Sequence, residues 1–395
     1  MKFLIILSVV ICALGSKHSG HQERFSWVRQ NIQSNNQIDS SSSSSESDEQ
    51  SANILKTDIY NPNHCILVPE PNSHELALFR QWALKHSKQY SSEHEKSCRL
   101  NNVINKIREN YIHNKKFDQG KVSYRRGLND FSDLSMQEIR DQILMKKIKS
   151  RNFHNQLSEL PNLPDARVYV DYREEGLVGP VAQQGMCESC YAWSSAAVLE
   201  GQLRKCDIYK NPVSVQNIVD CTVEGSAKCN GGLPYYVFKY QKHGGILPAD
   251  KYPYLNRNGT CEFSKNDILA YVDKAYGFNF MPVKRRHEDI KKIVSFVGPI
   301  SVGLCAEESF MAYESGIYDV DNCGDEANHA VTIIGYGTDS HNGDYWLIKN
   351  SWGKNWGEEG YGRIAMGKNL CEFESEVYFA QVRDLKGKVC ELFDI

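Results

Sequence analysis

Cysteine is the residue type that most constrains the fold of this chain, which has 13 cysteines among 395 residues. Disulfides rarely persist in a reducing cytosol, so this number indicates folding in an oxidising compartment. The N-terminus agrees, because Lys2 precedes an apolar stretch from Phe3 to Leu14 and then small residues. This pattern predicts a secretory signal peptide over residues 1–16, whose removal would also remove Cys12. The alternative, an uncleaved anchor, is disfavoured because the apolar stretch is too short to span a bilayer.

The overall charge argues against two classes of partner. The chain has 49 acidic and 46 basic residues, which gives no basic footprint for nucleic acid or for an anionic membrane surface. Residues 17–72 are predicted to be disordered, because six serines from Ser40 to Ser45 lead into acidic residues with few large apolar residues nearby. A plain tether and a phosphorylated or glycosylated serine tract both fit this composition.

Helical periodicity begins at Ser73. The stretch from Glu93 to Lys116 contains no Gly or Pro and predicts one long amphipathic helix. A short extended piece from Lys121 to Tyr124 and a further helix from Asp133 to Met145 are expected to follow. A linker with two prolines then ends this region near residue 163, so the region is predicted to be a domain of its own.

The remainder of the chain, residues 164–395, is dense in Gly, aromatic and Cys residues and ends in a short C-terminal extension. Its first half has helical segments at Cys190 to Cys206 and at Val215 to Asp220. Its second half alternates as strands do, at 299–304, 329–336, 344–349, 360–365 and 376–382. This order predicts an α+β domain of two subdomains with a cleft between them.

A candidate nucleophile, Cys190, lies where a glycine-containing loop meets the first of these helices. A thiol there faces unpaired backbone N–H groups and the positive end of the helix dipole, and both favour the thiolate. His329 and Asn350 follow 139 and 160 residues later and could supply a base and the group that orients it. The simpler alternative is a disulfide-bonded Cys190 and a core histidine. A zinc site at Cys187-x-x-Cys190 is a third alternative, but no second close pair supplies two more ligands.

These residues and their flanks resemble the papain family of cysteine proteases, of the cathepsin L-like type, over about residues 166–382. The resemblance implies a papain-like two-lobed α+β fold with a helical lobe and a β-barrel-like lobe. It implies that Cys190 is the nucleophile, His329 the proton shuttle and Asn350 the residue that orients His329. Gln184 matches the glutamine that donates a hydrogen bond to the oxyanion. The implied activity is hydrolysis of peptide bonds through an acyl-enzyme, with no metal and no other cofactor.

The resemblance extends to the helical region, which it identifies as an inhibitory propeptide over residues 73–163. The family's propeptide motifs are matched by Glu95, Arg99, Asn114, Gly127, Asn129, Phe131 and Asp133. The first motif is broken at Val103, Lys106 and Asn110. We expect this segment to block the cleft of its own enzyme until it is cleaved near residues 158–166, and acid to weaken the charged contacts that hold it.

The substrate-binding residues that the resemblance implies are Gly231, Gly232, Leu233, Pro234, Gly303, Ala330, Trp352 and Glu376. Glu376 matches an acid of cathepsin B-like enzymes in the S2 pocket, which binds the second residue before the cut. That pocket is therefore expected to accept Arg as well as apolar side chains, the alternative being a solvated surface glutamate. Glu188 replaces the glycine that is usual between the two cysteines that correspond to Cys187 and Cys190. Its side chain could narrow the S1 pocket, which binds the residue immediately before the cut, or favour a basic residue there. Only 39 residues separate Cys190 from Cys229, which leaves no room for an occluding loop and favours an endopeptidase.

Three disulfides follow from the resemblance: Cys187–Cys229, Cys221–Cys261 and Cys323–Cys371. The pairing of Cys206, Cys305 and Cys390 stays open, because spacing does not determine connectivity. Asn258 begins a glycosylation sequon. We expect a monomer that acts on peptides or proteins in a lysosome, in another vesicle or outside the cell. A non-catalytic binder that keeps the fold and a transpeptidase are the alternatives.

Overall fold

The computed structural model describes residues 65–145, 162–279, 286–324 and 326–393. The predicted signal peptide, residues 1–16, and most of the predicted disordered segment lie outside the described residues. Within the described residues, no helix combines the length and the apolar character needed to cross a membrane.

The prediction of disorder through residue 72 does not hold for residues 65–72. Cys65 is disulfide-bonded to Cys98, and the guanidinium of Arg108 donates to the carbonyl of Pro69 over 3.2 Å. Asn72 caps the helix that follows. One covalent bond and two hydrogen-bonded positions therefore fix this stretch, which composition alone does not reveal.

Two helices form the first part of the N-terminal region. Helix α1 (Ser73–Lys85) begins in a capping box, in which Asn72 and Glu75 exchange side-chain-to-backbone hydrogen bonds. Helix α2 (Glu93–Asp118) confirms the long helix predicted from the absence of Gly and Pro. The structure thus extends that prediction by two residues at its C-terminal end.

The extended and helical pieces that follow differ from the predicted bounds. Strand β1 (Tyr124–Arg126) begins where the expected extended piece ends. Helix α3 (Met136–Gln142) is shorter than the predicted helix, because the Ser135 hydroxyl accepts from the Glu138 N–H and sets the first turn at Met136. Beyond Gln142 the chain leaves the helix and turns toward the second domain.

The inner face of α2 holds the backbone of residues 126–134 through a row of side-chain donors. Lys106 Nζ donates to the Leu134 carbonyl over 2.8 Å, and Asn110 Nδ2 donates to the Gly127 carbonyl over 3.1 Å. Further donors to the same stretch of backbone are Arg99, Asn102 and Asn114. Two of the three positions that break the family motif therefore still bind the backbone that the motif serves.

The helical lobe is built on helix α4 (Cys190–Lys205), which is buried along most of its length. Helices α5 (Val215–Cys221) and α6 (Pro234–Gly244) pack beside it. Helix α4 also contacts the strand-rich lobe, where Gln202 Nε2 donates to the Val297 carbonyl over 2.8 Å. At the other end of α4, Cys190 accepts the backbone N–H of Ala330 from the strand-rich lobe, so the two lobes meet at the N-terminus of this helix.

The second lobe is a mixed sheet flanked by helices α7 (Arg286–Val297) and α8 (Glu308–Met311). Its strands are β2 (Val170–Asp171), β3 (Ala270–Asn279), β4 (Ile300–Leu304), β5 (Tyr313–Tyr318), β6 (His329–Asp339), β7 (Gly343–Lys349), β8 (Tyr361–Ala365) and β9 (Glu376–Asp384). The order is β1-β5-β8-β7-β6-β4-β9-β3, with β2 beside β6. The two outermost strands do not pair in the described residues, so the expected barrel is an open sheet.

Five disulfides occur among the described residues. Three join the pairs that the resemblance implied, Cys187–Cys229, Cys221–Cys261 and Cys323–Cys371. The pairing left open by the sequence is Cys206–Cys390, which ties the end of α4 to the C-terminal extension. Within the same described residues, Cys190 and Cys305 are the unbonded cysteines.

Candidate active site

Cys190 is the first residue of α4 and lies at the end of a tight loop. Gln184 Nε2 donates to the Cys187 carbonyl over 3.0 Å and closes that loop. The Tyr254 hydroxyl supports the loop from outside, since it donates to the Gln184 carbonyl over 2.7 Å and lies 2.7 Å from Ser189 Oγ. Cys190 is therefore held by a helix on one side and by a cross-linked loop on the other.

His329 begins β6, and its ring is completely buried. Its Nε2 lies 2.8 Å from Asn350 Oδ1, which also accepts the Ser351 N–H over 2.8 Å. Because Oδ1 is an acceptor, Nε2 carries the proton and Nδ1 is left with a lone pair. Nδ1 has no hydrogen-bond partner in the described part of the chain. Trp352 stacks on the ring with centroids 4.2 Å apart and shields the Asn350 bond from water.

Cys190 and His329 lie next to each other across the cleft, because the backbone N–H of Ala330 reaches the Cys190 sulfur. Burial raises the pKa of the Cys190 thiol to about 12 and lowers the pKa of His329 to about 4. Both shifts favour the neutral thiol and the neutral imidazole. The sequence predicted a thiolate at this helix N-terminus, but in the covered cleft the loss of water outweighs the helix dipole.

The N-terminal region covers this pair. Gln184 Nε2 donates to the carbonyl of Ile143 over 2.9 Å, and the N–H of Met145 donates to the carbonyl of Asn328 over 2.7 Å. The Ile143 carbonyl thus accepts a hydrogen bond from the Gln184 N–H₂ group, which the sequence analysis assigned to the oxyanion. Ser351 Oγ donates to Gln184 Oε1 over 2.8 Å and turns the amide N–H₂ toward the cleft. Sequence reasoning did not find Ser351.

Aromatic packing joins the N-terminal region to the histidine. The ring of Phe131 meets Trp352 edge-on with centroids 6.0 Å apart, and Trp352 in turn lies on His329. Asn129 Nδ2 donates to the Met311 carbonyl over 2.6 Å. Asp130 accepts from Asn355 Nδ2 over 3.2 Å. The second propeptide motif therefore contributes to anchoring the covering segment on the enzyme.

The residues predicted for substrate binding divide between the two lobes. Gly231 has a positive φ of 97°, and a Cβ at Gly232 would lie 2.5 Å from the ring of Tyr191, so both positions need glycine. Leu233 precedes the first residue of α6, Pro234. These four consecutive residues lie on the helical lobe, where α6 begins.

Three of the other predicted substrate-binding residues lie on neighbouring strands of the second lobe. Gly303 on β4 pairs directly with Ala330 on β6, and Glu376 begins β9 beside Gly303. The Tyr378 hydroxyl donates a hydrogen bond to Glu376 Oε2. Glu376 is half-buried, which differs from the alternative of a fully solvated surface glutamate. Asn258 is exposed and accepts the Cys229 N–H over 2.9 Å through its Oδ1.

Comparison with known proteins agrees with this geometry. The model for papain family cysteine proteases matches residues 166–381, and the model for the cathepsin propeptide inhibitor domain matches residues 79–139. A cathepsin L of Sarcophaga peregrina is 40% identical over 302 residues, which cover 73% of this chain and 87% of that protein. A procathepsin L of Rattus norvegicus is 36% identical over 300 residues, which cover 74% of this chain and 88% of that protein.

Solved structures of related precursors superpose on most of this chain. A digestive procathepsin L 3 of the Tenebrio molitor larval midgut superposes with a TM-score of 0.70 at 29% identity, over 78% of this chain and 99% of that one. The fold and the matched domains define a cysteine-type peptidase with its propeptide attached. The chain belongs to the papain family of cysteine proteases and carries a cathepsin-type propeptide inhibitor domain.

Proposed function

We propose that the protein is a secreted or lysosomal cysteine endopeptidase, made as a zymogen that its own propeptide inhibits. The observation that carries this proposal is the Ile143 carbonyl on Gln184, next to an unbonded Cys190 that accepts the Ala330 N–H and a His329 ring held by Asn350. The predicted signal peptide and the five disulfides support passage through the secretory pathway. The short gap between Cys190 and Cys229 supports internal cleavage of chains.

The mechanism starts with proton transfer from the Cys190 thiol to His329 Nδ1, which produces the thiolate and the imidazolium. The sulfur attacks the carbonyl carbon of the scissile bond, and Gln184 Nε2 and the Cys190 N–H stabilise the oxyanion. His329 then gives its proton to the leaving amine, which leaves an acyl group on sulfur. Water attacks that acyl-enzyme with His329 as general base, and release of the carboxylic acid regenerates the pair. Asn350 keeps the ring in place through both halves.

The experiment that tests this function is active-site labelling of the acid-matured protein with a thiol-reactive epoxide, together with turnover of a peptide substrate. One label per chain on Cys190 and loss of turnover are expected. The uncleaved precursor should label far more slowly, because its Cys190 is covered and neutral. A mature form that neither labels nor hydrolyses peptides would instead favour a non-catalytic binder.

Gln184→Ala should lower kcat of the mature enzyme by about 10²- to 10³-fold, because one donor to the oxyanion is removed. The neighbouring Gln183→Ala variant is the matched control, since Gln183 is an amide of the same size whose side chain donates to Asp130 of the propeptide over 3.5 Å. Steady-state kinetics on one peptide substrate compare the two variants. Equal losses in both would remove Gln184 from the oxyanion site.

Glu376→Gln should selectively weaken cleavage of substrates with Arg at the second position before the cut. The carboxylate beside Gly303 and Ala330 would pair with the guanidinium, while the apolar part of the pocket still accepts Leu. We expect the ratio of kcat/KM for Arg-Arg over Leu-Arg substrates to fall about tenfold. Glu372→Gln, a nearby acid that accepts from Ser375 Oγ, serves as the control. An unchanged ratio in Glu376→Gln would exclude the pocket role.

A further inference from the structure

Tyr254 bridges the two ends of the loop that runs from Gln184 to Cys190. Its hydroxyl donates to the Gln184 carbonyl over 2.7 Å and lies 2.7 Å from Ser189 Oγ. A phenolic hydroxyl has a single hydrogen to donate, so Ser189 donates to Tyr254 in the second contact. Burial raises the pKa of Tyr254 and so keeps that hydrogen on the phenol oxygen. One hydroxyl is therefore hydrogen-bonded to both ends of the loop.

The Ser189 hydroxyl contacts Tyr254 instead of capping its own helix. Ser189 is the N-cap residue of α4, but its side chain makes no capping hydrogen bond within the described part of the chain. A serine at this position usually accepts from a backbone N–H in the first helical turn. The hydroxyl is thus directed to Tyr254 against the usual preference of an N-cap serine.

The segment that carries Tyr254 is itself fixed on α5. Gln216, which is fully buried on that helix, accepts the Leu255 N–H over 2.8 Å and donates to the Arg257 carbonyl over 2.9 Å. The ring of Tyr254 meets Trp193 of α4 edge-on, with centroids 4.9 Å apart. Tyr254 is therefore held by two helices and can act as a fixed support for the loop.

The two ends of this loop supply both of the proposed oxyanion donors. One is Gln184 Nε2, which in the precursor donates to the Ile143 carbonyl over 2.9 Å, and the other is the backbone N–H of Cys190. Two donors stabilise one oxygen well only if each lies about 2.7–3.1 Å from it. The distance between the donors therefore matters as much as their presence. A small shift of either end of the loop lengthens one of the two hydrogen bonds.

We propose that Tyr254 is a positioning residue of the oxyanion site, whose hydroxyl sets the distance between the two donors and thereby controls the rate of acylation. This inference rests on the proposed function, because it needs peptide hydrolysis at Cys190. Tyr254 acts through the Gln184 carbonyl and through Ser189, and not by contact with the substrate. Reactions of Cys190 in which no oxyanion forms should therefore not depend on it.

Tyr254→Phe removes the hydroxyl and keeps the ring. In the mature variant we expect kcat for a peptide substrate to fall about tenfold, which is less than the loss expected when a donor itself is removed. KM should stay within about twofold of wild type, because binding of the substrate in its ground state is unchanged. Steady-state kinetics on one peptide substrate measure both parameters.

Tyr252→Phe is the matched control, two residues earlier on the same segment. Its hydroxyl lies 2.6 Å from the Thr260 carbonyl oxygen and 3.1 Å from Asp220 Oδ2, both outside the 184–190 loop. Each variant thus loses one hydroxyl with two polar partners, and their melting temperatures should be similar. We expect Tyr252→Phe to keep kcat within about twofold of wild type.

Two further measurements separate positioning from a general loss of structure. Iodoacetamide alkylates Cys190 by displacement of iodide and forms no oxyanion, so its rate in mature Tyr254→Phe should stay within about twofold of wild type. In a Gln184→Ala background one donor is missing, and there is no distance between donors left to set. Tyr254→Phe should therefore lower kcat by no more than about twofold in that background.

Ser189→Ala removes the second contact of the hydroxyl and keeps the tyrosine, so it tests the inference even if Tyr254→Phe does not mature. It should lower kcat about threefold, because one end of the loop is released while the other stays bound. A kcat equal to that of wild type in Ser189→Ala would contradict a support that acts on both ends of the loop.

The remaining negative outcomes have separate meanings. A wild-type mature enzyme that hydrolyses no peptide contradicts the proposed function itself. A Tyr254→Phe enzyme with the kcat of wild type, or with a loss that Tyr252→Phe shares, overturns only the positioning role. An undiminished loss in the Gln184→Ala background overturns it as well, because the hydroxyl would then act outside the oxyanion site.

Discussion

Cys190→Ala is expected to abolish peptide hydrolysis, with a loss of kcat/KM on the order of 10⁵-fold or more, as is usual when a covalent nucleophile is removed. His329 and Gln184 remain in place in this variant but have no group to activate and no oxyanion to stabilise. The variant precursor should also stay at full length in acid, whereas the wild-type precursor shortens. Gel analysis and peptide turnover after acid incubation measure both effects.

Cys305→Ala is the matched control for this prediction. Cys305 is the other buried, unbonded cysteine among the described residues, and it lies on the strand-rich lobe where its N–H donates to the Cys371 carbonyl. Its loss should leave turnover and processing within a few-fold of wild type. Normal shortening of the Cys190→Ala precursor in pure form would contradict self-processing. Equal inactivation by both substitutions would contradict the assignment of the nucleophile.

Acid is expected to open the closed form by protonating His329, the proposed proton shuttle. Burial holds the pKa of His329 at about 4 in the closed cleft, below its ordinary value of 6.5. Between pH 6.5 and about pH 4, His329 is more protonated in the opened form than in the closed form. The closed form therefore becomes less stable as the pH falls through this range. The closed-to-open ratio should fall on the order of 10²-fold between pH 7 and pH 4.5 from this group alone.

The carboxylates of the propeptide add a second, more acidic step. Burial raises the pKa of Glu138, but the hydrogen bond from Arg99 and the Ser135 N–H outweigh it, and the net pKa is lowered. The Arg108 hydrogen bond lowers the pKa of Glu75. Both carboxylates stabilise the fold at pH values above their ordinary pKa of 4.5. That stabilisation is lost as the pH falls below 4.5.

Hydrogen exchange of residues 124–145 in the inactive Cys190→Ala precursor measures both steps without self-cleavage. Exchange should accelerate from about pH 6.5 downward and again below about pH 4.5. The double variant Cys190→Ala/His329→Gln keeps a polar side chain of similar size without the titration. It should lose the first step and retain the second. Identical pH profiles for the two proteins would exclude His329 as a trigger.

The chemistry of the site could be predicted from the sequence because it depends on residue types that few other reactions require. Few functions other than cysteine-protease catalysis fit a cysteine that starts a helix together with a histidine that starts a strand and a following Asn and Trp. The structure brings Cys190, His329 and Asn350 together. Ser351 was missed because its role depends on contact with Gln184, 167 residues earlier in the chain. No local pattern encodes that contact.

The parts of the fold that were missed depend on contacts between distant segments. Strand β5 contains Gly316 at a positive φ of 93° and lacks regular alternation of buried and exposed residues. It is a strand because β1 and β8 pair with it from distant parts of the chain. The Cys206–Cys390 disulfide likewise joins residues 184 positions apart. The expected barrel-like sheet is open in the structure for the same reason. Strand order follows from pairing between strands and not from the residue pattern of each strand.

The pairing of β1 with β5 has a consequence for the mature enzyme. Strand β1 belongs to the propeptide and hydrogen-bonds to residues 313–316 of the enzyme, and the Ser123 hydroxyl donates to the Ile317 carbonyl over 2.6 Å. When the propeptide departs, these backbone groups become an unpaired sheet edge, which can accept an extended segment of another molecule. We therefore expect the propeptide to protect this edge from edge-to-edge self-association, and the mature enzyme to aggregate more readily than the precursor at high protein concentration.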